Sequence, residues 1–184
     1  MIPNLREKLK AISTNCHSKP KTENSDNKSD CSYNRDNLGG HIISSQWGHH
    51  VCKKSIYPID DSYGIVTFKK IRDVNPSIVS QWARLDETLA SFSIHDLIFL
   101  DTETTGLSLG VGTLAFLIGL GYFEENNFVV EQHVMRDFDE ELSMLNEVAK
   151  AIGHRKALVS FNGKSYDYPL LENRMVFNRI SSYI

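Results

Sequence analysis

Four consecutive apolar residues, Leu97-Ile98-Phe99-Leu100, run directly into Asp101-Thr102-Glu103-Thr104-Thr105-Gly106. An apolar run of this length reads as a buried strand, and buried strands normally lack carboxylates. Side chains alternate across a strand, so Asp101 and Glu103 project from one face. Two carboxylates so placed do not both ionise cheaply unless a cation sits between them. Oxygen donors with no His or Cys nearby favour Mg²⁺ or Mn²⁺ over Zn²⁺, and a pair of such ions is the usual apparatus for in-line attack on a phosphodiester. The same residues also suit a solvated strand exit with Gly106 turning the chain, and the tripeptide alone does not choose between the two.

The flanking segments supply the rest of an α/β pattern. Asn75-Pro76 has the cap and first-turn residues of a helix over 76–92, with Ile78, Val79, Trp82, Leu85, Leu89 and Phe92 at helical spacing. After the acidic strand, Gly106, Gly110 and Gly112 lack the spacing of a phosphate-cradling loop, and Leu114 to Phe123 reads as a strand instead. Glu124 to Asn127 makes a turn and Phe128 to Arg136 a third strand, so an antiparallel meander is expected. Asp137 and Glu140 have capping-box spacing ahead of a helix striped by Leu142, Leu145, Val148, Ala149 and Ile152, which Gly153 stops.

Ala157 to Phe161 is a further compact strand, followed by Asn162-Gly163-Lys164-Ser165-Tyr166-Asp167. Asn-Gly is a hairpin signal, yet no alternating strand follows, and Pro169 suits the start of a helix carrying Leu170, Leu171, Arg174 and Met175. The resulting fold class is α/β: a mixed sheet of three antiparallel strands, then helix, parallel strand and helix. Asp101, Glu103 and Asp167 would then meet at the ends of two adjacent strands, where sites in open α/β sheets cluster.

Upstream, Leu5, Leu9 and Ile12 share one face of a short basic helix over 1–12, and a polar linker without folded structure is expected over 13–50. A lead-in segment occupies 51–95, with Ile65-Val-Thr-Phe68 as a short strand, and the main domain 96–184. The adjacent His49 and His50 are expected at the surface, and His133 as a structural mid-strand residue. A net charge of -3 excludes a globally basic nucleic-acid coater but not an enzyme whose own site is acidic. Three scattered cysteines exclude a disulfide framework and a zinc ribbon. With no segment near the roughly 20 apolar residues of a membrane span and no signal-peptide core, a cytoplasmic protein is expected.

Phe99-Leu-Asp101-Thr-Glu103-Thr-Thr-Gly106 resembles the first motif of the DEDD exonucleases of the ribonuclease H-like superfamily, and Asn162-Gly-Lys-Ser-Tyr166-Asp167 resembles their second. The runs Gly112 to Phe123 and Phe161 to Arg174 are closer still to the bacterial YprB-type ribonuclease H-like proteins. The resemblance extends from about Tyr57 onward and is densest after Leu97. It implies a two-metal nuclease hydrolysing phosphodiesters of DNA or RNA, 3′-to-5′ and exonucleolytic, with Mg²⁺ or Mn²⁺. It also implies Asp101 bridging both ions, Glu103 on the ion that activates water and Asp167 on the second. Thr104, Asn162, Lys164 and Tyr166 would lie along the substrate.

The family carries a further acidic residue with a His or Tyr on a last helix, and a last strand, neither of which has a counterpart before Ile184. The expectation is therefore a carboxy-terminally incomplete domain, inactive or nearly so alone, with the Ala157 strand as an edge. The alternatives are a module of the same fold that binds nucleic acid or a partner without catalysis, and a ribonuclease H-type endonuclease.

Overall fold

The computed structural model describes residues 38–75, 78, 93–106 and 112–181. The expected helix over 1–12, the linker up to residue 37 and all of the helix over 76–92 except Ile78 lie outside the described residues. The strands are β1 (His41–Ser45), β2 (Gly48–Pro58), β3 (Ser62–Tyr63), β4 (Val66–Thr67), β5 (Leu97–Thr104), β6 (Ala115–Glu124), β7 (Asn127–Val134) and β8 (Ala157–Ser160). The helices are α1 (Phe68–Arg72), α2 (Glu141–Gly153) and α3 (Asp167–Phe177). Six strands form one mixed sheet in the order β1-β2-β7-β6-β5-β8, antiparallel throughout except for the parallel pair β5 and β8.

The meander β5-β6-β7, the following helix and the parallel strand agree with the sequence pattern. Residues 41–45 and 48–50 do not: expected in a polar linker, they belong to β1 and β2, which extend the sheet beyond β7. The polar residues of β2 have cross-strand partners that no local pattern reveals, with Lys54 opposite Glu131 and Cys52 opposite His133. The strand expected over Ile65 to Phe68 is also shorter. Only Val66 and Thr67 pair, with Tyr63 and Ser62, because Thr67 caps α1 by accepting the Lys70 N–H at 3.3 Å.

Residues directly opposite in a sheet share a face. Ile98 and Leu100 of β5 therefore stand on the same face as Leu120 and Ile118 of β6, and this face is covered by helices. There Met144, Leu145, Val148, Ala149 and Ile152 of α2 and Leu170, Leu171 and Met175 of α3 complete the core. Each such aliphatic side chain, fully buried, contributes about 1.5–3 kcal/mol relative to exposure. On the other face, Phe68 of α1 stacks on Phe128 at 4.8 Å and Phe128 meets Phe99 edge-on at 5.9 Å.

Helix α2 starts with both expected acids in use, but not as a reciprocal box. Asp137 accepts the Phe138 N–H at 2.8 Å, whereas the buried Glu140 turns back to the Arg136 N–H, also at 2.8 Å, and to its guanidinium. The two helices are tied by a bidentate pair. Arg174 donates to Glu141 at 2.7 and 2.6 Å, and Asn178 adds a third bond at 3.1 Å. Removing one member of such a buried pair strands the other charge.

A polar layer lies within the helix-covered face. His50, expected at the surface, is fully buried: Nδ1 pairs with Ser143 Oγ at 2.9 Å and Nε2 with His133 Nδ1 at 3.0 Å. His49, next to it, is exposed and lies 3.3 Å from Glu140. Burial first, and the neighbouring His133 second, lower the His50 pKa to about 3. Beyond His133, Glu131 is held down to about 2 by His133, Tyr122 and Lys54. His133 Nε2 stands 3.8 Å from Glu131, too far for a hydrogen bond, so the Tyr122 and Lys54 contacts at 2.9 and 3.1 Å carry most of that effect.

A histidine held neutral in the fold is protonated more readily once unfolded, so its contribution is complete above the unfolded pKa near 6.5 and declines as pH falls towards about 3. We expect urea-unfolding stability to fall by several kcal/mol across that window. A His50→Gln variant should show a visibly flatter pH profile.

Candidate functional site

Strand β8 stops where Ser160 pairs with Leu100, while β5 continues through Asp101 to Thr104. Among the described residues this leaves the β8 side of residues 101–104 without a strand neighbour. The turn after β8 and the head of α3 occupy the resulting notch. Ligands in open α/β sheets bind outside the carboxyl ends of the strands, and this notch lies at the carboxyl ends of the parallel pair.

Asp101 and Glu103 are both exposed, on the face opposite Leu100 and Thr102. No side chain faces Asp101 across the sheet. Its partner is Gly119, where an added Cβ would meet nothing nearer than the Asp101 carbonyl at 3.7 Å. The pairing slips between Glu103 and Thr104, a bulge of the kind that re-aims side chains beside sites.

Asp167 is placed differently. It is the first residue of α3, two positions before the expected start at Pro169, and is only 7% exposed. Thr102 Oγ1 donates to its Oδ1. The carboxylate thus bonds to the residue between the two strand acids, but from the helix-covered face. The expected convergence is therefore partial. Among the described residues no group of three or more His, Cys, Asp or Glu side chains is arranged to hold a metal ion. As they stand, the donors fit a cation through the exposed pair alone, with Asp167 committed to a hydroxyl.

Of the four residues expected along the substrate, two are turned inward. Tyr166 donates its hydroxyl to the Gly106 carbonyl at 2.5 Å and lies 3.1 Å from Thr104 Oγ1, which itself donates to Gly106 at 2.7 Å. These bonds tie the exit of β5 to the head of α3. Asn162 and Lys164 are exposed on the turn. Asn162 has a left-handed backbone, φ 58°, a conformation that Asn tolerates better than most residues. Gly163 follows because nothing larger fits: a Cβ there would lie 2.1 Å from Ser160 Oγ and 3.2 Å from Asp167 Oδ2. The Asn-Gly pair serves a strand-to-helix turn, not a hairpin, with Gly163 accepting the N–H groups of Tyr166 and Tyr168 at 3.2 and 2.8 Å.

Comparison with known proteins agrees with this topology. The RNase H superfamily profile matches residues 98–183, which begins in β5 and takes in both motifs. The uncharacterized protein YprB of Bacillus subtilis (strain 168) is 30% identical over 122 residues, which is 64% of this chain and 28% of that protein. Residues 98–183 are RNase H-like, and the chain is similar to YprB. The chain spans less than a third of the length of that YprB relative. Among the described residues no helix is long and apolar enough to cross a membrane.

Gly163→Ala should lower stability by about 1–3 kcal/mol through overlap with Ser160. Tyr166→Phe, which removes one hydroxyl from a shared acceptor, should cost about 1 kcal/mol. Urea unfolding of both variants beside the parent chain checks the order.

Proposed function

We propose that this RNase H-like segment is a metal-dependent nuclease domain that hydrolyses phosphodiester bonds of DNA or RNA, exonuclease-like and 3′-to-5′. Asp101 and Glu103 would hold Mg²⁺ or Mn²⁺, and Asp167 would serve as the third acidic ligand where two ions bind. The observation that carries this reading is the pair of exposed same-face carboxylates that follow the buried Ile98 and Leu100 on one strand, beside a notch closed by the second acidic motif. Bound there, a dication would polarise a phosphate oxygen and make water a better nucleophile at neutral pH.

The chain's own groups divide the remaining work. Asn162 and Lys164, exposed on the turn beside Asp167, are assigned to the substrate backbone, Lys164 by charge and Asn162 by hydrogen bonding. Thr104 and Tyr166 border the substrate path and set the shape of the β5 exit through Gly106. Three carboxylates neutralise only part of the four charges of two dications, so cleavage by this chain alone is expected to be weak.

A second reading, a nucleic-acid-binding or partner-binding module without catalysis, is favoured by one observation: the Asp167 carboxylate is engaged by Thr102. Thermal unfolding in a Mn²⁺ titration separates the two. At about 100 times the dissociation constant, the nuclease reading predicts a rise of roughly 5–10 °C that Asp101→Asn abolishes. An unchanged transition at millimolar Mn²⁺, together with retained binding of a labelled oligonucleotide, contradicts the metal site and supports the module.

A further inference from the structure

The buried polar layer between α2 and β7 ends in an unsatisfied nitrogen. His133 is 3% exposed, and its Nε2 makes no hydrogen bond. Its Nδ1 shares one hydrogen with His50 Nε2 across 3.0 Å, and His50 Nδ1 shares another with Ser143 Oγ across 2.9 Å. A neutral imidazole has one N–H and one bare nitrogen, so the hydrogen on either ring fixes that on the other. Two arrangements keep both bonds. In one, Ser143 donates to His50 Nδ1, His50 Nε2 donates to His133 Nδ1, and His133 Nε2 carries a hydrogen. In the other, both donations reverse and His133 Nε2 is a bare lone pair.

The surrounding charges decide between them. A carboxylate oxygen of Glu131 on β7 lies 3.8 Å from His133 Nε2, which favours a hydrogen there over a lone pair. That carboxylate is itself paired with Lys54 on β2 at 3.1 Å and accepts from Tyr122 on β6 at 2.9 Å. Cys52, opposite His133 on β2, is pushed up to about 12 by burial and is uncharged. On the α2 side, Glu140 bonds to Arg136 and Glu147 pairs with Lys150. Around His50, burial opposes a charge most, followed by His133, His41 on β1, His49 on β2 and Arg136 after β7.

We propose that His50 and His133 form a one-proton switch: the pair binds a single proton at His133, and the hydrogen-bond chain to Ser143 reverses direction as it does so. The neutral pair carries two ring hydrogens, on His50 Nε2 and His133 Nε2. The bound form carries three. His133 then holds both N–H groups and donates through Nδ1 to a bare His50 Nε2, while His50 donates through Nδ1 to Ser143 Oγ. Both bonds survive, His50 stays neutral, and the added charge rests beside Glu131. The Ser143 hydroxyl only rotates; in a helix its hydrogen can turn to the carbonyl four residues back. A second proton would set two N–H groups against each other across 3.0 Å and break the layer. The β1–β2 hairpin thus stays bonded to α2 through the first protonation. None of these groups belongs to the proposed nuclease site.

Ring-nitrogen NMR on the full chain labelled with ¹⁵N-histidine reads the hydrogen on each nitrogen, from about pH 8 to about pH 4. Spectra of His50→Gln and His133→Gln assign the two rings, and through-bond correlation to the backbone assigns them if either variant does not fold. At the upper pH both rings should carry hydrogen on Nε2. On acidification the His50 hydrogen should move to Nδ1, with the ring still neutral, at the pH where His133 gains its second hydrogen. Glu131→Gln should move that coupled change to lower pH. The switch is overturned by Nδ1–H on His50 at the upper pH, by His133 protonating with His50 unchanged, by His50 taking the charge, or by unfolding before the pair binds any proton. An unchanged midpoint in Glu131→Gln overturns the placing of the proton at His133.

Discussion

The unequal length of one parallel strand pair controls the geometry of this molecule. β5 and β8 share four register positions, ending at Leu100 and Ser160, and β5 then runs on for four residues without β8 beside it. The paired half of β5 is sheet core, with Ile98 and Leu100 buried under the helices. The half beyond β8 carries Asp101, Thr102, Glu103 and Thr104 of the first motif. Backbone in that half still pairs with β6, so the acids are held on a rigid strand while their outer edge stays open to the turn and helix that follow β8.

The two helices hold that edge in place by different means. α2 is packed by a long apolar stripe, with its first residue Glu141 paired to Arg174 and Ser143 linked to His50. α3 has a shorter apolar stripe and depends more on polar ties, to Glu141 near one end and to Thr102, Thr104 and Gly106 at the other. A helix fixed at both ends by directional bonds places its first residue reproducibly. That first residue is Asp167.

Much of this was legible in the sequence, and the limits follow from what a local pattern can encode. The apolar run before Asp101, the meander and the helix stripes depend on near neighbours, and they read correctly. β1 and β2 did not, because a strand whose buried residues on the helix-covered face are His50 and Cys52 shows no apolar alternation; its partners lie about 80 residues away in β7. The same cause hid the burial of His50, whose ring is matched to Ser143 and His133 across 93 and 83 residues. Asp167 stood out as a candidate from its motif, but its hydroxyl partner 65 residues earlier had no such signal. The residue between two conspicuous acids carried no signal of its own, since Thr in a strand is ordinary.

The proposed nuclease site stands or falls on a divalent cation at the open edge of β5. Crystals of the chain grown with Mn²⁺ and measured at the manganese absorption edge address this directly. If Asp101 and Glu103 hold the ion, an anomalous peak appears beside these two carboxylates. A peak confined to other surface carboxylates, with nothing beside residues 101 and 103, would contradict the proposed metal site.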